Sequence, residues 1–251
     1  MKVLIPVSGD EDCTAIAMKG ASNYVFKQDR FSSHAQIAAQ LRGLAGHSST
    51  HPFVVLDVGC ASGFLRAFLP ESDFYLVGVE RDPVLLAQAQ QHYDEVHAAD
   101  LNAALKVNLP TPNAIVLADV LEHLPDPEAV LINLLQRYAK PGTPILISLP
   151  NVAHLYVRLS LLLGQFNYTD RGILDRTHLR FFTLKTATQM LGACDIRVTA
   201  TRVTPVPLPL VHPLFGEKRL LFPVHAFSAF LASVLKGLLG FQFILRGVYE
   251  P

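Results

Sequence analysis

The sequence predicts an α/β protein built on a doubly wound, mostly parallel seven-stranded sheet, with a helical cap before it and an apolar insertion before the last strand. Three observations lead there. Residues 54–65 form an apolar strand that enters a turn holding Gly59 and Gly63 and leaves as a helix; glycine at such a turn allows positive φ and close approach of a ligand. From residue 53 onward, strand-length apolar segments alternate with helical ones, the pattern of βα units around a parallel sheet. The second apolar segment, 75–79, runs into Glu80, and an acid at that strand tip is the usual grip on a ribose diol in doubly wound folds.

Taken in order, residues 1–50 read as the cap, a short strand followed by helical stretches, with Ser32 or Ser33 placed to cap a helix over 34–41. Tyr24 and His34, in a stretch mixing aromatic, basic and hydroxyl residues, are candidate substrate contacts on a lid; the alternative is an ordinary docking helix. The core over 51–201 predicts strands near 53–58, 75–80, 95–99, 113–118, 144–149 and 195–201, and helices near 62–69, 83–92, 127–139, 152–163 and 184–193. Pro83 sits early in its helix, where the missing N–H costs little, and Gly142 follows the stop at Lys140 and Pro141. In the insertion, 202–241, Pro205, Pro207, Pro209 and Pro213 exclude a regular helix. Residues 224–239 then read as a very apolar helix, shorter than the roughly 20 residues of a membrane span. It covers the sheet or a homodimer face, or else forms the wall of an apolar pocket or a peripheral membrane contact over 220–240. A strand over 242–249 closes the sheet, and the whole is read as a single domain.

Composition narrows the function classes. Lys+Arg and Asp+Glu are both 21 in 251 residues, so no basic field draws in nucleic acid. Cys13, Cys60 and Cys194 are far apart and suit a reducing compartment without a disulfide framework or a zinc set. The first ten residues are too short for a signal-peptide core, and the expectation is a cytoplasmic protein.

The turn itself discriminates between cofactors. Dinucleotide enzymes use G-x-G-x-x-G to cradle a pyrophosphate. Here Gly59 and Gly63 are four apart and Asp57 precedes them, placed to accept hydrogen bonds from loop amides or a ligand ammonium. This pattern resembles motif I of the class I S-adenosylmethionine (SAM) methyltransferases, whose Rossmann-like sheet has an antiparallel last strand. Downstream, the run 115–127 with Asp119, Val120, Leu121, Glu122, His123 and Leu124 resembles the D-V-L-E-H-L-x-D-P motif of methyltransferases close to the quinone-biosynthesis O-methyltransferases. The segments beginning at Asn151 and spanning 168–183 resemble a bacterial subgroup found free-standing or fused to glycosyltransferases. The resemblance covers about 22–201. It implies a SAM site formed by Asp57, Gly59, Cys60, Ala61, Gly63, Glu80 on ribose, Arg81, Asp100 and Leu101 at adenine, and Ala118, Asp119 and Val120 beside the methionine portion. For Asp100 the alternative is a local cap, while Asp126 is expected to cap the helix begun by Pro127.

Asp170, Arg171, Asp175, Arg176, His178 and Arg180 crowd eleven residues of an otherwise apolar half-chain. They follow the fifth strand, on the edge where doubly wound folds bind ligands. His178 is the candidate general base, with Asp175 to orient it or to bind substrate hydroxyls, and Asn151 and Arg180 are candidate substrate contacts. The alternative is an ion-pair network that pins a surface loop. No metal is expected, because Glu122 and His123 are sequence neighbours that diverge and no residue at helical spacing completes a set. The expected activity is SAM-dependent O-methylation of a small-molecule, glycan or lipid-linked acceptor; N- or C-methylation and a non-catalytic SAM-binding protein are the alternatives.

Overall fold

The structure, a computed structural model, describes residues 29–103 and 107–251, so Tyr24 and the expected first strand lie outside the described residues. The strands are β1 (Phe53–Val58), β2 (Phe74–Glu80), β3 (Glu95–Ala98), β4 (Ala114–Ala118), β5 (Pro144–Pro150), β6 (Ile196–Thr204) and β7 (Gln242–Tyr249). They form one sheet in the order β3-β2-β1-β4-β5-β7-β6. β7 runs antiparallel to both its neighbours, and every other described pairing is parallel.

Period-two alternation sorts the strand residues onto two faces. Val55, Leu76, Val116 and Leu146 pack with Ile37 and Leu41 of α1 (Ser33–Ala45) on one face. Leu56, Val77, Ile115 and Ile147 pack on the other with Leu131 and Leu135 of α3 (Pro127–Tyr138) and Met190 and Leu191 of α5 (Leu184–Ala193). The caps follow the sequence. Ser32 accepts from the Ala35 amide, Asp82 caps α2 (Pro83–Ala89) with Pro83 in its first turn, and Asp126 accepts from the Ala129 amide.

Three local expectations change. The helix expected over 62–69 is a 3₁₀ turn, Phe64–Phe68, entered from Gly63 at φ 81°. The helix expected over 152–163 shortens to α4 (Leu155–Leu162), because a turn at Val152 and Ala153, closed by the His154 amide on the Asn151 carbonyl at 3.1 Å, comes first and His154 then caps the helix. In the insertion, β6 continues to Thr204, and the proline stretch then makes only a four-residue turn, α6 (Leu208–Val211), and a 3₁₀ turn, Pro213–Phe215. The apolar helix is α7 (Phe222–Val234), broken at Leu235 before α8 (Lys236–Leu239). No helix among the described residues is long and apolar enough to cross a membrane.

Strand order reverses between β1 and β4. The loops that follow these two strands, 59–63 and 119–123, therefore stand side by side at the switch point where doubly wound sheets bind ligands.

Candidate active site

The first loop is shaped by backbone demands. Gly59 and Gly63 have φ of 74° and 81°, and Ala61 is also left-handed at 47°. A Cβ on Gly59 would stand 2.6 Å from the Val120 side chain in the neighbouring loop, so this glycine admits the close approach of the two loops. Glu80 at the end of β2 fixes the turn. One carboxylate oxygen accepts from the Ala61 amide at 3.0 Å, and the other accepts from the Arg81 and Asp82 amides, each at 2.8 Å. Three amides leave lone-pair capacity on this carboxylate.

Asp57 is buried and accepts from the Tyr93 hydroxyl at 2.6 Å. Burial pushes its pKa up to about 6, with the Tyr93 hydrogen bond opposing and the Glu80 charge adding. Cys60 is buried against Gly78, where a Cβ would meet its sulfur at 2.6 Å, and burial raises the thiol far above its ordinary range. Asp100 takes the local turn, accepting from the Asn102 amide and side chain, with Arg81 at 4.0 Å; these amide contacts hold its pKa below the usual value. Leu101 is half-buried beside it. A cradle that Cβ atoms would fill and an acid at the strand tip fit a nucleoside cofactor whose charged end is an amino acid.

The second loop begins at Ala118 and turns at Asp119, a non-glycine residue at φ 57°. Ser148 of β5 donates to its carboxylate at 2.6 Å, and the Gln242 side chain of β7 donates to both oxygens at 3.0 and 2.9 Å. Val120 is buried against the glycine turn. Next comes Glu122, 1% exposed, with neither carboxylate oxygen hydrogen-bonded. Burial holds its pKa well above the usual range, and the Asp119 and Asp175 charges add to this.

The Glu122 carbonyl accepts from the Leu179 and Arg180 amides at 2.8 and 3.0 Å, which docks the 175–180 segment onto this loop. The docking brings His178 to Glu122 and His123 from far outside any helical spacing. The His178 ring lies 4.9 Å from that of His123, and one ligand-capable atom each from Glu122, His123 and His178 falls within 4.8 Å of the others.

His178 is buried and donates from Nδ1 to the Ile173 carbonyl at 3.1 Å. Burial and the neighbouring His123 lower its pKa, which keeps the imidazole neutral near pH 7. Asp175 does not hold the ring as expected. Its Oδ1 accepts from the Thr177 amide at 2.8 Å and hydroxyl at 2.7 Å, because a carboxylate two residues before a threonine closes the local turn first.

Two expected substrate contacts are instead engaged by backbone groups of the fold, one buried and one exposed. Asn151 is fully buried, donating to the Gly237 and Gly240 carbonyls and accepting from the Ala153 amide. Arg180 donates to the Pro125 carbonyl through both Nε and an Nη. His34 packs edge-on to Phe64, with ring centroids 5.9 Å apart, beside the glycine turn. Asp170 and Arg176 form the exposed ion pair of the alternative reading, at 2.7 Å. His178 lines a cleft of about 590 Å³ with Tyr168, Arg176, Leu179 and Phe181. Sequence reasoning missed Tyr93, Ser148 and Gln242; each reaches its acid from a distant element and leaves no local pattern.

Comparison with known proteins agrees with this geometry. A family model described as a methyltransferase domain matches residues 29–201. The chain is 29% identical over 124 residues to a ubiquinone biosynthesis O-methyltransferase of Methylococcus capsulatus, covering 47% of this chain and 52% of that one. It is 33% identical over 115 residues to the Pseudomonas fluorescens protein of the same name, covering 43% and 47%. The chain thus spans about half the length of the curated relatives it matches. Magnesium protoporphyrin IX methyltransferase from Synechocystis, solved with bound S-adenosylhomocysteine, shares the fold at a TM-score of 0.57 and 15% identity, over 87% of this chain and 84% of that one. With the family model covering the sheet from β1 to β5 and both ligand loops, the chain belongs to the class I methyltransferases and uses S-adenosylmethionine.

Proposed function

We propose that this methyltransferase acts on a hydroxyl oxygen of a lipophilic small-molecule acceptor. The observation that carries the reading is His178, whose Nδ1 is committed as a donor to a carbonyl. This leaves the lone pair of the neutral ring on Nε2. The hydroxyl is activated through that atom.

When bound, S-adenosylmethionine supplies a methyl group on a good leaving group. The protein's part is therefore mainly alignment, for which roughly 7–11 kcal/mol is the upper range. Glu80 and Asp57 hold the cofactor's hydroxyl and ammonium groups, the Gly59–Gly63 turn admits it closely, and Ala118, Asp119 and Val120 border its reactive end. Removing the hydroxyl proton during attack is worth about 10²–10⁴ in rate.

The acceptor class follows from the walls. Tyr168 and Phe181 at the cleft pack with Phe166 in one aromatic cluster. This segment continues from α4, which exposes Tyr156, Leu159 and Leu162, while α7 exposes Val224, Phe227, Phe230 and Val234. Such surface suits an apolar acceptor delivered at a membrane face. The relatives' names, which place O-methylation in ubiquinone biosynthesis, support the same class.

The test is methyl transfer to lipophilic phenols in detergent or liposomes, beside soluble nucleotide sugars. Turnover of the phenols and not the sugars is expected, and the reverse result overturns the acceptor class. His178→Ala is expected to slow single-turnover transfer about 10²-fold or more with S-adenosylhomocysteine affinity unchanged. An unchanged rate removes His178 from the reaction.

A further inference from the structure

We propose that Glu122, His123 and His178 bind a divalent transition-metal cation of the zinc or manganese type, and that this cation activates the acceptor hydroxyl. The inference rests on the reading of the cleft above and assigns His178 Nε2 as a ligand to the cation. The hydroxyl is then ionised by the metal and not by direct proton transfer to the ring.

Three independent observations converge. First, Glu122 is a buried carboxyl with neither oxygen hydrogen-bonded. Buried polar groups are almost always paired, and an exception asks for an ion or a function.

Second, both imidazoles are held in one tautomer. The Ile173 carbonyl can only accept, so His178 Nδ1 carries the proton. Thr177 spends its hydroxyl proton on Asp175 Oδ1, so the contacts from His123 Nδ1 to the Thr177 hydroxyl and carbonyl, at 3.2 and 3.3 Å, are also donations by the ring. His178 therefore keeps its lone pair on Nε2. An imidazole whose other nitrogen donates to a backbone carbonyl is the usual outer support of a metal-binding histidine.

Third, one ligand-capable atom from each of Glu122, His123 and His178 lies within 4.8 Å of the others, and His178 also lines the open cleft. Zinc bonds of about 2.0–2.1 Å put tetrahedral ligand atoms about 3.4 Å apart, so binding draws the three groups closer by about an ångström. Two histidines and one carboxylate leave at least one position for an exogenous oxygen, the arrangement of a catalytic and not a structural site.

The step balances simply. The acceptor oxygen binds the cation, its O–H acidity rises, and the proton leaves to water in the cleft. An oxygen lone pair forms the bond to the methyl carbon while the carbon–sulfur pair returns to sulfur. Asp119, tied to β5 and β7 by Ser148 and Gln242, adds negative charge that acts on Glu122 and His178.

The test uses the full chain, stripped with chelator and titrated with Zn²⁺ and separately with Mn²⁺ by calorimetry. Wild-type protein is expected to take one equivalent of at least one of these ions. Glu122→Gln, His123→Ala and His178→Ala are each expected to weaken that binding by more than about 10-fold, while circular dichroism and S-adenosylhomocysteine binding show them folded. Less than one equivalent of both ions on the wild type, or equal binding by wild type and His178→Ala, overturns the site. Either result leaves oxygen methylation standing or falling on its own assay, since a phenol turned over at full rate in chelator keeps that reading and rejects this one.

Discussion

Glu80 and Glu122 stand at the same edge of the sheet, one after β2 and the other after β4, and the fold treats them in opposite ways. Glu80 is half-buried and accepts from three backbone amides. Glu122 is fully buried and neither of its oxygens is hydrogen-bonded. The first carboxylate is part of the scaffold before any ligand arrives. The second carries a desolvation cost that only a proton or a cation offsets. On the reading proposed above, the cofactor half of the cleft is finished by folding and the acceptor half is completed by what binds there.

The largest effect expected on the cofactor half comes from Gly59→Ala. It puts a Cβ at positive φ, about 1–2 kcal/mol, and drives that atom into Val120. Thermal melting should shift down, and S-adenosylhomocysteine affinity measured by calorimetry should fall more than 10-fold. Wild-type affinity would break the claim that the two loops pre-form the cradle.

Glu80→Ala should come next. It removes hydrogen bonds to a charged acceptor, each worth about 1.5–3 kcal/mol, and is expected to weaken S-adenosylhomocysteine about 10–100-fold by titration. If affinity holds while stability drops, Glu80 serves the turn alone and the contrast with Glu122 sharpens into scaffold against site.

The smallest effect is a pH dependence at Asp57. Its folded pKa of about 6 lies above the ordinary aspartate value of 3.8, so the folded state holds the extra proton between these values. Stability therefore declines as pH rises from about 4 to 6 and levels above, by at most about 3 kcal/mol at 1.36 kcal/mol per unit. The difference in denaturation free energy between wild type and Asp57→Asn should follow that window. A flat difference would show that Tyr93 compensates the buried charge in full.

The sheet was legible because its signals are local. Period-two apolar runs such as 54–58 and 114–118 each declare a strand, and Gly59 and Gly63 declare the turn between strand and ligand. Glu80 was legible for the same reason, as the residue that ends a strand. His178 was singled out from the density of charge around it, but the residues it packs against were not. Glu122 and His123 meet it only because the Glu122 carbonyl captures the Leu179 and Arg180 amides, and no spacing in the chain encodes a backbone hydrogen bond across that separation. Asp175 was misread for the complementary reason: three residues from His178 in sequence, it closes the turn at Thr177 first. Asn151 and Arg180 are polar residues in a ligand-rich region whose groups are consumed by carbonyls of the fold itself.

β7 has one more consequence, for the order of assembly. It is the last strand in chain order, yet it lies between β5 and β6, and its first residue, Gln242, grips the carboxylate of Asp119. In chain order the glycine turn and β1 to β5 all precede it, so the clamp on Asp119 is the last part of the site to be made. The position of a single glutamine ties the reactive edge of the site to completion of the sheet.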